Sequence, residues 1–372
     1  MYTIKKLPDI CTIKTGKMDA NHATTNGKYR FYTCASQYSF CNTKSFSGPS
    51  VIVPGNGDIG LVFFYDGEFE AYQRTYVLSD IKVFPKYLYY HLLYKWRFVN
   101  SGKQYGSTVR YVRMANFTNY EIPIPELSKQ KEIVTRIEES LSQLDSAVET
   151  LKKAKQQLEV YRHAVLTEAF RFLSNQRSIT DYFDISSGLT KNSKRNTFST
   201  KMPYLRVANV YYDYLDLSEI KTIGVTENEI QQNLLKKEDI LFVEGNGSKS
   251  QIGRVAIWDG SIENILHQNH IIKGRPNGKM LPQYALYYLM SNYGRNQILK
   301  VASSTSGLYT LSTNKIRNLQ IPYCDLVTQQ KTISMIEEKI SLCKSIEKTV
   351  DQSLQQSEAL RQSILKQAFE GE

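Results

Sequence analysis

Long apolar runs are missing from this 372-residue chain. No stretch approaches the roughly 18 uncharged apolar residues of a membrane-spanning helix, and residues 1–10 hold no apolar core. Neither a transmembrane span nor a signal peptide is therefore expected. Cysteine is scarce as well: Cys11, Cys34, Cys41, Cys324 and Cys343 are odd in number, scattered, and form no Cys-x-x-Cys pair. That pattern excludes a disulfide scaffold and a structural zinc site, and it fits free thiols in a reducing cytoplasm. Catalytic signatures are absent too. His267-x-x-His270 has no cysteine nearby, and there is no Phe-x-Gly-x-Gly cofactor loop. The chain also lacks an Asn/Asp-Pro-Pro-Tyr/Phe target-base motif and a nuclease-like carboxylate–lysine cluster. The expectation is a non-enzyme with no cofactor and no metal.

What the chain does have is a normal globular mix, 41% hydrophobic and 22% charged with 12% aromatics, at a length that suits two or three domains. Its net charge is +11, which favours a polyanionic partner. The excess is not spread evenly. Residues 1–121 carry +7, residues 122–173 are neutral, residues 174–320 carry +6, and residues 321–372 carry −2. Two basic blocks separated by neutral ones are better explained by two binding surfaces on one polyanion than by a generally solubilising surface.

The chain repeats itself. Residues 122–170 align without a gap to residues 321–369 at a constant offset of 199, with about a third of the positions identical. Among the identities are Ile122/Ile321, Pro123/Pro322, Gln130/Gln329, Ile137/Ile336, Arg162/Arg361 and Ala169-Phe170/Ala368-Phe369. Ile137, Leu141, Leu144, Val148, Leu151, Leu158 and Val165 recur in steps of four and three, with Lys155 and Arg162 interrupting. This is the narrow seam of a coiled coil. Ile336, Ile340, Cys343, Val350, Leu354, Arg361, Ile364 and Ala368 follow a rougher track. Two helices of roughly 45 residues, each spanning on the order of 65 Å, are expected, starting near Pro123/Pro125 and Pro322. A single exposed helix of this pattern would be poorly covered, so an antiparallel pairing of the two copies is expected.

The block before each helix has another texture, with short runs rich in Tyr, Val, Ile and Thr broken by turn residues. In the first, Val51-Ile52-Val53 leads to Gly55-Asn56-Gly57, and Leu61-Val62-Phe63-Phe64-Tyr65 leads to Asp66-Gly67. In the second, Ile240-Leu241-Phe242-Val243 leads to Gly245-Asn246-Gly247, and Val255-Ala256-Ile257-Trp258 leads to Asp259-Gly260. A tyrosine-rich helical segment opened by proline follows, from Pro85 and from Pro282. The expected fold is α+β: strand-rich globules at 1–121 and 174–320 alternate with long helices at 122–173 and 321–372, in an internal pseudo-two-fold repeat.

The duplicated Ile122-Pro123-x-Pro125-x-Leu127-x-x-Gln130-x-x-Ile133-Val134-x-x-Ile137-Glu138 and Ile321-Pro322-x-x-x-Leu326-x-x-Gln329-x-x-x-Ile333-x-x-Ile336-Glu337, set between divergent globules, resemble the specificity subunit of Type I restriction-modification enzymes. The resemblance covers essentially the whole chain; Cys324 stands where the first copy has its second proline. It implies that each globule is a target-recognition domain reading one half of a bipartite site in double-stranded DNA. It also implies that the helices pair antiparallel as a ruler and dock two methyltransferase subunits, and restriction subunits through them. The subunit itself would be non-catalytic and cytoplasmic.

Candidate DNA-contacting residues follow from side-chain chemistry. Amide and guanidinium groups read adenine and guanine edges, which singles out Gln73 and Arg74 in the first block and Gln268 and Asn269 in the second. The tip Asn246, Ser248, Lys249, Ser250 and Gln251 gathers five polar residues; each Gly-Asn-Gly segment reads either as a plain turn or as a DNA-facing loop, and the Gly-x-x-x-x-Gly-Lys-Ser/Thr phosphate-loop spacing is not met. The closing loops offer Lys103, Gln104, Tyr105, Ser107, Arg110 and Arg113, and Thr305, Ser306, Tyr309 and Lys315. The lead-in stretches add Lys14, Lys17, Lys191, Lys194 and Arg195 as peripheral phosphate contacts or solvated charge. A competing reading is a helical scaffold whose basic globules capture acidic proteins without regard to DNA sequence. An autonomous nuclease or methyltransferase is disfavoured by the missing motifs.

Overall fold

The computed structural model describes residues 2–106, 108–173, 175–305 and 308–371. The chain divides into two compact units, residues 1–152 with 351–372, and residues 153–350. These units do not follow the helix boundaries of the sequence division. Each holds one globule together with a stretch of both long helices, because the helices bury their apolar faces against the globules instead of forming domains of their own.

The first long helix runs Leu127–Ala169 and the second Leu326–Glu370. The Ile-Pro segments before them are strands. Glu121–Ile124 pairs antiparallel with Thr3–Lys6, and Gln320–Pro322 with Gln176–Ser178. Proline lacks the amide donor and holds the preceding residue extended, so helix begins only past the prolines.

Both units contain the same strand order. In the first, Thr12–Thr15, Thr75–Ser79, Pro49–Pro54 and Phe63–Asp66 lie side by side, all antiparallel. In the second, Phe183–Ser187, Ile271–Pro276, Ile240–Val243 and Val255–Ile257 do the same. A three-stranded sheet accompanies each. Tyr29–Tyr32 sits between antiparallel Ser39–Cys41 and parallel Phe69–Ala71. Lys201–Leu205 sits between antiparallel Lys221–Gly224 and parallel Leu266–His267.

The tyrosine-rich segments are helices, Pro85–Asn100 in the first unit and Pro282–Met290 in the second. Each opens on proline, whose missing amide costs nothing at a helix start. One end of each is bound by the duplicated glutamine. Gln130 is buried, its Oε1 accepts from Phe84 N at 2.8 Å, and its Nε2 donates to Pro125 O at 2.8 Å. Gln329 is fully buried, its Oε1 accepts from Leu281 N at 2.8 Å, and its Nε2 donates to Cys324 O at 2.8 Å. Phe84 and Leu281 are the residues that cap the two tyrosine-rich helices.

The duplicated phenylalanine grips the same helices from the other long helix. In the first unit the Phe369 ring lies 5.6 Å from Tyr87, 5.2 Å from His91 and 5.9 Å from Tyr94. In the second, Phe170 lies 5.3 Å from both Tyr284 and Tyr288. Aromatic pairs at such separations contribute about 0.5–1.5 kcal/mol beyond the area they bury.

Along the seam Ile137, Leu141, Leu144 and Val165, and Ile336, Cys343, Val350 and Ala368, are buried, while Val148, Leu151 and Leu158, and Ile340, Leu354 and Ile364, are half-buried. In the first unit Ile137 and Leu141 share a core with Leu365 and Ala368, and Arg361 forms an ion pair with Asp145. In the second, Val165, Leu166 and Phe170 share a core with Ile333 and Ile336, and Arg162 pairs with Glu347 at 2.6 Å. The seam arginines, identical in the two copies, thus carry their charge to a carboxylate on the facing helix.

Each unit also buries one histidine. His91 approaches the Tyr120 hydroxyl at 3.2 Å, and Nδ1 of His267 donates to Ile271 O at 2.9 Å. Burial pulls both down to about 3.

Two outcomes follow. Replacing Gln329 by leucine strands the Leu281 amide and the Cys324 carbonyl and costs about 2 kcal/mol, read as a lower denaturant midpoint. Both histidines fold neutral and protonate in the unfolded chain. Stability is therefore full above about pH 6.5 and falls on acidification by up to about 1.4 kcal/mol per pH unit for each histidine. His91→Gln lessens that slope in midpoints measured between pH 7 and 5.

Candidate nucleic-acid interface

In the first unit three loops that are distant in sequence meet through the backbone. Gly55 N donates to Arg74 O at 2.8 Å, Val112 N donates to Gly55 O at 2.8 Å, and Gly57 N donates to Arg110 O at 3.0 Å. The Gly-Asn-Gly turn is thereby held between the Gln73-Arg74 turn and the closing loop. Gly55, Asn56, Gln73, Arg74, Tyr76, Tyr111, Val112 and Arg113 line one groove of about 430 Å³. The Arg113 guanidinium lies 4.1 Å from the Tyr105 ring centroid, and its Nη2 donates to the Tyr111 hydroxyl at 3.0 Å. Tyr105 and Tyr111 stack 5.6 Å apart and exchange backbone hydrogen bonds at 2.9 Å. A planar cation held over aromatic faces is aimed with little loss of side-chain freedom.

Lead-in residues reach the same place. Gln73 N donates to Met18 O at 2.9 Å and Gly16 N donates to Thr75 O at 3.1 Å, so Lys17 lies on the strand end beside the turn. Lys14, Lys17, Arg74, Lys103, Arg110 and Arg113 are all exposed, and such a set supplies the counterion-releasing charge that a nucleic-acid backbone requires.

The second unit builds the corresponding junction. Gly245 and Asn246 pair with Thr310 and Tyr309, Leu311 N donates to Glu244 O at 2.7 Å, and Glu244 N donates to His270 O at 2.9 Å. The neighbouring tip is ordered from within: Ser248 N donates to the Asn246 side chain at 2.8 Å, and the Ser248 and Ser250 hydroxyls meet at 2.9 Å. Ser248, Lys249 and Ser250 stay exposed. Arg295, on the helix Asn292–Val301, clamps this tip from below. Its Nη1 donates to Ile252 O at 2.7 Å and to Gly253 O at 3.2 Å, and its Nη2 donates to Ser250 O at 3.5 Å. The Tyr212 hydroxyl donates to Ser250 O at 2.7 Å. Burial draws the Arg295 guanidinium below its ordinary value, the cost of using a charge to satisfy carbonyls away from water. Gly253 permits the close approach: its φ is +63°, and a Cβ there would stand 2.5 Å from Ile298 Cγ2.

Most of the sequence candidates lie on these loops, but not all are free to contact a ligand. Arg195 is the clearest departure. It is buried, with its Nε on Thr190 O at 2.5 Å, Nη1 on Gly224 O at 3.0 Å, and Nη2 on Glu229 at 2.8 Å. Its donors are spent inside the unit, so it braces the lead-in stretch while Lys191 and Lys194 beside it remain exposed. Lys315 is half-buried with Nζ donating to Thr310 O at 3.1 Å. Gln268 and Asn269 are half-buried, their backbone N–H groups donating to Leu205 O at 3.0 Å and Leu189 O at 2.9 Å. Gln104, Gln251 and Tyr309 are half-buried as well. Thr305 lies in the strand Ser303–Thr305, whereas Ser107 and Ser306 fall outside the described residues. Sequence reasoning passed over Asn56, Tyr76, Tyr111, Glu244, Tyr212 and Arg295. Asn56 could have been found from its place in a Gly-Asn-Gly turn like that of Asn246. Arg295 carries no sequence signal, since a helical arginine is ordinary surface until its partners are seen. Among the described residues no group of His, Cys, Asp or Glu could hold a metal, and no helix is long and apolar enough to cross a membrane.

The family model described as the Type I restriction modification DNA specificity domain matches residues 2–160 and 174–356. The EcoKI specificity subunit of Escherichia coli K12 is 28% identical over 281 residues, covering 72% of this chain and 61% of that protein. The EcoDI specificity subunit of Escherichia coli is 26% identical over 402 residues, covering 99% and 87%. The match thus spans about three fifths of the length of the EcoKI subunit and most of the EcoDI subunit. In fold, the chain is similar to a chain from a structure on complex assembly and conformational transition of the type I R-M system, with TM-score 0.71 at 15% identity, covering 100% and 98%. It is also similar to the HsdS subunit from Thermoanaerobacter tengcongensis, with TM-score 0.58 at 16% identity, covering 100% and 97%.

Loss of the arginine clamp has a local readout. Arg295→Ala leaves the Ile252 and Gly253 carbonyls without their donor, and amide hydrogen exchange of residues 248–253 is expected to rise roughly 5- to 30-fold while the sheet amides keep their protection.

Proposed function

Because the chain belongs to the Type I restriction modification DNA specificity family, we propose that it is the DNA-reading specificity subunit of a Type I restriction-modification system. The globule of each unit reads one half of a bipartite duplex site, and the chain itself performs no chemistry. The two long helices pair antiparallel, set the number of unread base pairs between the halves, and dock two methyltransferase subunits and, through these, restriction subunits.

The observation that carries this reading is that two units of one strand order place different loops at the same junction. A shared mount with unlike readers suits two unlike half-sites. The mount supports the helix pairing as well. In each unit a tyrosine-rich helix is held by the glutamine that begins one long helix and the phenylalanine that ends the other. A start and a finish held by one partner in both units support helices running in opposite directions. The ion pairs agree: Arg361 with Asp145 lies further from the second helix start, and nearer the first, than Glu347 with Arg162. Phosphate contacts from exposed lysines and arginines supply affinity, and amide and guanidinium groups of the loops supply discrimination.

The test is methylome sequencing of a host that expresses the chain with its methyltransferase. A single gapped motif that vanishes when the chain is omitted is expected. Methylation without any chain-dependent motif rejects the reading and leaves the sequence-indifferent scaffold.

A further inference from the structure

The shared hydrogen bonds set the two junctions in register, and at one point the residues differ in kind. Val112 N donates to Gly55 O and Gly55 N to Arg74 O; Leu311 N donates to Glu244 O and Glu244 N to His270 O. Gly55 therefore corresponds to Glu244, and Arg74 to His270. In the first unit no side chain fits: a Cβ on Gly55 would stand 2.4 Å from Arg74 O and 2.9 Å from the Tyr76 ring. The second unit places a carboxylate there.

Glu244 has a side-chain exposure of 29%, and its Oε2 lies 2.7 Å from His270 Nδ1. No described residue partners its Oε1. A carboxylate on a surface that meets a polyanion is repelled by phosphate, so it is tolerated only opposite a donor. In the major groove the donors are exocyclic amino groups, cytosine N4 and adenine N6, and carboxylates accept from cytosine N4. The first junction is of opposite character, with Gln73, Arg74 and Arg113 around a glycine, and guanidinium groups suit the acceptors O6 and N7 of guanine.

Resting on the specificity-subunit reading, we propose that Glu244 is a specificity-determining residue of the second unit. Its Oε1 accepts from the exocyclic amino group of one base in the half-site that this unit reads. His270 is a positioning residue that holds the other carboxylate oxygen and so orients the free one.

The experiment is methylome sequencing with the full chain and its methyltransferase, comparing wild type with Glu244→Ala, Glu244→Gln and His270→Ala. The expected result for Glu244→Ala is loss of preference at one position of one half-site, with discrimination there falling roughly 5- to 150-fold and the other half unchanged. The base that stood at that position identifies cytosine N4 or adenine N6 as the donor. His270→Ala loosens the same position to a smaller degree. In Glu244→Gln the His270 donor holds the amide oxygen and turns the NH2 toward the base amino group, donor against donor, so this shape-conserving variant alters that position even where the alanine variant fails to fold. An unchanged motif at wild-type efficiency for Glu244→Gln overturns the proposal, as does loosening spread over both halves. A wild-type chain that directs no gapped motif overturns instead the specificity-subunit reading on which it rests.

Discussion

Two buried glutamines hold the architecture together. Gln130 and Gln329 each satisfy one backbone donor and one backbone acceptor that would otherwise be stranded where a helix start meets a proline-rich strand. An amide side chain is the right tool, because it presents both a donor and an acceptor in one plane. The strength of the arrangement lies in what its failure would leave: unpaired polar groups in a core cost more than the bonds themselves return. From this latch the orientation of each tyrosine-rich helix follows, and with it the placement of the sheet that the helix covers and of the loops at the sheet end.

The duplicated elements and the divergent ones divide along a physical line. Glutamine latch, phenylalanine plug and seam arginine recur with the same partners in kind, since they answer the same burial problem in each unit. The loops answer to solvent and to whatever they meet. Arg113 stacked on Tyr105 and half-buried Arg295 under a serine-rich tip are different ways of fixing the shape of a loop. Positive charge at these junctions is exposed where it faces outward, as at Lys17, Arg74 and Lys249, and paired where it is buried, as at Arg195.

The repeat made the long helices legible, because a heptad seam and a constant offset survive without knowledge of tertiary contacts. The strand runs before each Gly-Asn-Gly turn were legible from alternation and turn residues, and Pro49–Pro54 and Ile240–Val243 sit where those runs lie. The Ile-Pro segments proved to be strands that precede the helices, a boundary that proline chemistry accounts for. Candidate residues were read by side-chain type, and type alone could not separate Arg195, spent on Glu229 and two carbonyls, from Lys194 one position before it. Glu244 was passed over because a carboxylate runs against the search for cations.

Sequence by itself determined the duplication, the helical seam, the basic character of two separate blocks and the family resemblance, all of which are properties of residue order and composition. Only the tertiary structure decided which loops converge, that Gly55 and Glu244 occupy one place, and which cations are already committed. The reason is that pairing between segments far apart along their own unit, such as Phe183 with Pro276 and Gly55 with Val112, brings polar groups to about 3 Å through backbone geometry that no local pattern encodes.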